Sequence, residues 1–176
     1  MTRTLVVGDI HGCARSLSRL LDKVRPDRLI CVGDLFTKGP QPERVWKLLK
    51  RYDAESVMGN QDLVVLKRWS IGRDLPRSAF HWLRRRPLML EGEGFRVVHA
   101  GVDPRHPSRT GRHRALFDRS RWWARYKGKK LVLYGHDARR GLNDRRPWSL
   151  GLDTGCVGGG RLTGYIVEED RLVSAR

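Results

Sequence analysis

Five times along this chain a short apolar run ends, and a residue that can ligate a metal follows at once. Leu5-Val6-Val7 runs into Gly8-Asp9-Ile10-His11-Gly12, and Leu29-Ile30-Cys31-Val32 into Gly33-Asp34. Val57-Met58 leads to Gly59-Asn60, Val97-Val98 to His99-Ala100-Gly101, and Leu131-Val132-Leu133-Tyr134 to Gly135-His136. Apolar runs of this length bounded by glycine read as buried strands, and glycine lets the backbone turn sharply where each strand stops. A carboxylate and an imidazole two residues apart, as in Asp9 and His11, can reach one cation together, but one such pair does not hold it. The repetition therefore favours a fold that gathers several strand ends on one edge.

The intervening segments supply helices. Leu17, Leu20, Leu21 and Val24 recur at helical spacing, and Pro26 stops that helix before a strand over Arg28 to Val32. Pro42 stands at the first turn of a second helix with Val45, Leu48 and Leu49 on one face, and Glu55 to Met58 reads as a short third strand. Strand, helix, strand units predict parallel pairing, which sets the loops at the carboxyl ends side by side and lets Asp9, His11, Asp34 and Asn60 converge. Further on, the pattern predicts helices over 62–69 and from Pro76 to the Arg84-Arg85-Arg86 run, then short strands feeding His99 and His136. Residues 103–126 are poor in periodicity and read as a surface segment with one short helix. Residues 149–173 read as antiparallel strands completing a second sheet. The Gly158-Gly159-Gly160 run lacks the lysine and hydroxyl residue of a phosphate-binding P-loop and reads as a tight turn.

At 176 residues the chain is the size of one domain, taken as 1–176. No apolar stretch approaches the length of a membrane span, and the first strand begins too close to Met1 for a signal peptide, so a cytoplasmic location is expected. Cys13, Cys31 and Cys156 are unclustered and read as reduced packing residues. The net charge of +17 implies a positive field that attracts phosphates, nucleic acid or another acidic partner. Arginine outnumbers lysine 28 to 8, and these charges are spread along the chain without forming a basic tail.

Taken in order, GDIHG at 8–12, GDLFTKGP at 33–40, GNQD at 59–62, HAGVDP at 99–104, YGH at 134–136 and LDTG at 152–155 resemble the successive blocks of the calcineurin-like metallophosphoesterases. The likeness is to the phosphoprotein phosphatase group, which includes symmetrical bis(5'-nucleosyl)-tetraphosphatases and small bacterial serine/threonine phosphatases. It implies an α/β sandwich of two mixed β-sheets flanked by helices, with a metal site at the strand carboxyl ends. It also implies two divalent ions, Asp9 and His11 serving the first, Asp34 bridging both, and Asn60, His99 and His136 serving the second. Manganese is the first expectation, and iron, zinc or cobalt suit the same donors.

The resemblance further implies that Asp34, Lys38, Gln61 and Arg125 carry the catalysis, Arg125 aligning with an arginine the family uses to hold phosphate. Thr37-Lys38 stands where the phosphatases have Asp-Arg, and Asn60-Gln61 where they have Asn-His. A glutamine does not deliver a proton at neutral pH, although its amide can donate a hydrogen bond. The expected function is a metal-dependent phosphohydrolase acting on phosphorylated or polyphosphate substrates, best matched by nucleoside polyphosphates such as diadenosine tetraphosphate. A serine/threonine protein phosphatase and a catalytically weakened phosphate or nucleic-acid binding protein are the alternatives.

Overall fold

In the computed structural model, which describes residues 2–72 and 74–176, two five-stranded mixed sheets stack face to face. In the first sheet β1 (Thr4–Val7), β2 (Arg28–Cys31) and β3 (Glu55–Ser56) run parallel, with Leu5 opposite Leu29 and Cys31 opposite Ser56. In the second, β5 (Phe95–Val98), β6 (Leu131–Tyr134) and β8 (Ser149–Gly151) run parallel, and β4 (Met89–Glu91) and β7 (Asn143–Arg145) are antiparallel edges.

The apolar runs do not alternate with polar residues because both faces of each sheet are covered. Val6, Ile30 and Val32 face Val97, Leu133 and Leu150 across the space between the sheets. Their neighbours Leu5, Val7, Leu29 and Cys31 point the other way, into a core shared with the helices. Those helices are α1 (Ala14–Val24), α2 (Pro42–Arg51), α3 (Asn60–Lys67) and α4 (Arg77–Arg84). Burying one such aliphatic side chain contributes roughly 1.5–3 kcal/mol, so the two interleaved cores hold the strand ends in fixed positions. Pro42 occupies the first turn of α2, and α1 ends at Arg25 in a left-handed conformation one residue before Pro26.

Two readings of the sequence are corrected. Of the strands expected over 149–173, only β8 joins the second sheet, and it does so parallel to β6. The others, β9 (Leu162–Ile166) and β10 (Arg171–Ala175), extend the first sheet, with β9 antiparallel to β1. β1 is buried on both faces and needs a ladder partner on its second edge, which β9 supplies with Tyr165 opposite Val6. Residues 103–126 form two short helices, α5 (Arg112–Phe117) and α6 (Trp122–Arg125). The second exists because Trp122 and Trp123 are buried against the outer face of the second sheet, where the Trp122 indole donates to the Ala100 carbonyl (3.0 Å).

Candidate active site

Because the parallel strands of both sheets point the same way, their carboxyl ends place loops on one rim. Asp9 and His11 follow β1, Asp34 follows β2, and Asn60 opens α3 just after β3. His99 follows β5 directly, His136 follows β6 and Asp153 follows β8. His11, Asp34, Lys38 and His136 all adopt positive φ (46°, 53°, 67° and 77°), a conformation that side chains other than glycine's rarely take. Four such residues in one place mark the kind of strained backbone that functional sites retain. Close approach adds a second constraint. A methyl group at Gly135 would overlap the Asp9 carboxylate, and one at Gly59 would overlap that of Asp34, so these loops come as near as glycine allows.

The six residues expected to be ligands converge. His11 Nε2 lies 3.9 Å from Asp9 Oδ2 and 3.6 Å from Asp34 Oδ2. The other oxygen of Asp34, Oδ1, lies 3.5 Å from His99 Nε2. Around His99, Asn60 Oδ1 is 2.8 Å from Nε2 and 2.9 Å from His136 Nδ1, and the two imidazole nitrogens are 3.2 Å apart. One oxygen of Asp34 therefore faces Asp9 and His11, while the other faces Asn60, His99 and His136. Asp9, His11 and Asp34 offer ligand atoms that all lie within 4.8 Å of one another.

Hydrogen bonds behind these side chains fix which atoms point inward. His99 Nδ1 donates to the Val32 carbonyl (2.8 Å), leaving the Nε2 lone pair free. His11 Nδ1 meets the Thr37 hydroxyl at 3.0 Å. The His136 amide donates to both Asp9 oxygens (3.1 and 3.2 Å), and the Gln61 amide donates to Asp34 Oδ1 (2.8 Å). Asp62, fully buried, accepts from the amides of Asp34 (2.9 Å), Leu35 (3.0 Å) and Gly59 (3.0 Å). It thereby ties the loop after β2 to the start of α3.

Asp9, Asp34, Asp62 and Asp153 are all buried, and burial is the main force raising their pKa values. Asp34 is pushed up to about 7 and Asp62 to about 6, while Asp9 is raised further by Asp153 and Asp34. Burial acts oppositely on the imidazoles, lowering His11 to about 3 and His99 and His136 to about 4, with Lys38 adding to the effect on each. Neutral imidazoles keep the lone pair that a metal requires. Carboxylate, imidazole and amide oxygen are a donor set suited to divalent transition metals, and crowded buried carboxylates are what such a cation neutralises. The residues fit divalent metal ions.

A cavity of about 260 Å³ opens over this cluster, lined among others by His11, Asp34, Lys38, Asn60, Gln61 and His136. Lys38 Nζ stands 3.5 Å from His11 Nε2. Arg125 is not among the lining residues. It sits on the exposed side of α6, where it borders a separate cavity with Asp103, Arg105 and Arg114. The arginines at the mouth are Arg119, with Nε 3.4 Å from His136 Nε2, and Arg139, which is paired with Asp137 at 2.8 Å. Sequence reasoning gave no role to Arg119, Asp62 or Asp153. The last two stand inside the recognised GNQD and LDTG blocks, which was the available signal.

Comparison with known proteins agrees with this fold. The family model for calcineurin-like phosphoesterases matches residues 2–157. A symmetrical bis(5'-nucleosyl)-tetraphosphatase of Pseudomonas putida is 35% identical over 123 residues, covering 57% of this chain and 43% of that protein. The enzyme of the same name from Proteus mirabilis is 33% identical over 123 residues, covering 57% and 45%. The chain thus spans less than half the length of these curated relatives. A crystal structure of a candidate diadenosine tetraphosphatase superposes with a TM-score of 0.91 at 33% identity, covering 99% of this chain and 93% of the other. A metallophosphoesterase from Sphaerobacter thermophilus, 16% identical with a TM-score of 0.70 over 99% of this chain and 88% of the other, shares the fold.

Proposed function

Since this chain belongs to the calcineurin-like phosphoesterases, we propose that it is a metal-dependent phosphohydrolase acting on nucleoside polyphosphates such as diadenosine tetraphosphate. The observation that carries this reading is the Asp34 carboxylate, whose two oxygens face two separate groups of ligand atoms. In it, Asp9 and His11 would hold one divalent ion, Asn60, His99 and His136 would hold the other, and Asp34 would serve both. Manganese is our first assignment, with iron, zinc and cobalt accepted by the same donors. When bound, a pair of such ions acidifies water and polarises phosphoryl oxygens.

The chain's own residues then orient and stabilise the substrate. Lys38, at the cavity wall, supplies a cation toward the phosphoryl oxygens, and Arg119 at the mouth offers a guanidinium fork to the remaining phosphates. Gln61 begins α3 over the same cavity, and its side-chain amide can donate a hydrogen bond to a departing oxygen without transferring a proton. A phosphate leaving group needs little protonation, whereas a serine alkoxide needs much, so this wall suits phosphoanhydrides better than alkyl esters. We read Cys13, Cys31 and Cys156 as reduced and assign the protein to the cytoplasm.

Purified protein loaded with manganese and assayed on diadenosine tetraphosphate, a phosphoserine peptide and p-nitrophenyl phosphate tests the reading. The expected result is fastest turnover of the tetraphosphate, lost on chelation and restored by metal. Faster turnover of the phosphopeptide, or activity indifferent to chelator, would overturn it.

A further inference from the structure

A groove of about 420 Å³ runs between α1 and α2 and belongs to no part of the cluster described above. Its walls are cationic on both sides. Arg15 and Arg19 project from α1 at a spacing of four residues, and Arg44, Lys47 and Arg51 line the facing side of α2 at spacings of three and four, so each set shares one helix face. All five side chains are exposed, and Ala14, Ser18 and Leu48 form the floor.

Cations on two facing helices set this groove apart. Some arginines of the chain are matched by acids, as in Arg3 with Glu169, Arg28 with Glu55, Arg114 with Asp118 and Arg146 with Asp144 and Asp170. In the groove only Lys47 has such a partner, Glu43 at 2.7 Å. Among the described residues, Arg15, Arg44 and Arg51 form no ion pair, while Arg19 Nη1 donates to the main-chain oxygen of Arg176 (2.6 Å). Cations on two facing helices, with Arg15, Arg44 and Arg51 lacking an acidic partner among the described residues, concentrate positive potential along one channel in a chain of net charge +17.

We propose that the groove between α1 and α2 binds nucleic acid by its phosphates. Guanidinium forks match phosphate oxygens bidentately, which favours a phosphate ligand over a diffuse acidic surface. No aromatic side chain lines the groove, so there is neither a stacking platform for bases nor an anchor for a protein hot spot. Binding is therefore sequence-independent and carried by charge.

The test uses the whole, metal-loaded protein and a 3'-labelled oligonucleotide with a 5'-hydroxyl, so that no terminal phosphate engages the metal cluster. Fluorescence anisotropy across a salt series is the readout. Wild type binds, and the triple variant Arg15→Glu, Arg44→Glu, Arg51→Glu loses affinity by at least about tenfold at low salt. Because each phosphate contact to a single strand adds about 0.7 to the salt slope, the variant's slope is shallower by about two. Its rate on diadenosine tetraphosphate is unchanged. Arg105→Glu, Arg109→Glu, Arg112→Glu lowers the net charge equally on the opposite sheet's loop and keeps the wild-type affinity. Absence of binding by wild type, equal loss in both variants, or equally tight binding of a polyglutamate peptide of matching charge would each overturn the assignment. Since hydrolysis is measured separately, failure of the groove and failure of the phosphohydrolase reading give different results.

Discussion

The imidazole of His11 is held from behind by Thr37, whose hydroxyl lies 3.0 Å from Nδ1 in a buried contact. With Nδ1–H donating to that oxygen, the Nε2 lone pair is directed at Asp9 and Asp34. Thr37→Val keeps the shape and removes the acceptor. It should weaken metal binding by roughly 10- to 100-fold, read by titration calorimetry on stripped protein, and Thr37→Ser should restore most of it. Unaltered affinity in the valine variant would mean that packing alone sets the His11 ring.

Asp62 stands one layer further back. Its carboxylate satisfies three buried amides, and each amide left without a partner costs about 1–3 kcal/mol. Asp62→Ala should lower the unfolding free energy by roughly 3 kcal/mol or more in urea denaturation, and Asp62→Asn by less, since its amide oxygen still accepts. A loss below about 1 kcal/mol would make water an adequate substitute.

The raised carboxylates give the metal-free protein a pH signature. Asp34 ionises near 7 when folded but near 3.8 ordinarily, so between those values the folded state holds the extra proton and stability falls as pH rises. The three depressed histidines act oppositely, but only below their ordinary value of 6.5. From pH 6.5 to 8 the carboxylates act alone, and stripped protein should lose thermal stability across that window. Metal binding, which needs Asp34 ionised, should raise the melting temperature more at pH 8 than at pH 6. Scanning calorimetry with and without metal reads both effects, and a metal increment that shrinks with pH would contradict them.

Arg119 and Arg125 can be told apart kinetically. Arg119 borders the cavity over the cluster and Arg125 borders another. Arg119→Ala should raise KM for diadenosine tetraphosphate by about tenfold or more, the loss expected for a charge-assisted contact. Arg125→Ala should cost less. The reverse order would restore the role that alignment with the family implies for Arg125.

Gln61 governs the dependence on the leaving group. Across aryl phosphates the rate should fall steeply as leaving-group pKa rises, and Gln61→His should flatten that slope. General acid catalysis contributes ~10²- to 10⁴-fold, and the low end is expected because Thr37 is already engaged with His11. A wild-type rate independent of leaving-group pKa would show that another group supplies the proton.

The candidate ligand residues are legible in the sequence because most stand just after an apolar strand, and strand ends gather wherever pairing is parallel. The supporting residues are not, since their roles depend on contacts between distant loops. Asp62 reads as an ordinary first-turn acid until the loop after β2 is seen resting on it, and Thr37 reads as a loss until His11 is seen behind it. Arg125 illustrates the converse: its place in the Trp122-Trp123-Ala124-Arg125 run does not tell which cavity it borders, and the turn of α6 that buries Trp122 and Trp123 puts it beside a separate one. The placement of β9 and β10 is hidden for a simpler reason: an antiparallel hairpin carries no mark of which sheet it extends.

Asp9, His11, Asp34 and Asn60 hang from the first sheet, while His99 and His136 hang from the second. A cation held by both groups is therefore a clasp between two slabs that are otherwise joined mainly by non-directional apolar contact. Aliphatic surfaces tolerate small sliding movements, but a coordination shell does not. Any shear of one slab against the other would part these side chains before it exposed the core, so turnover in this protein should respond to slippage well short of unfolding.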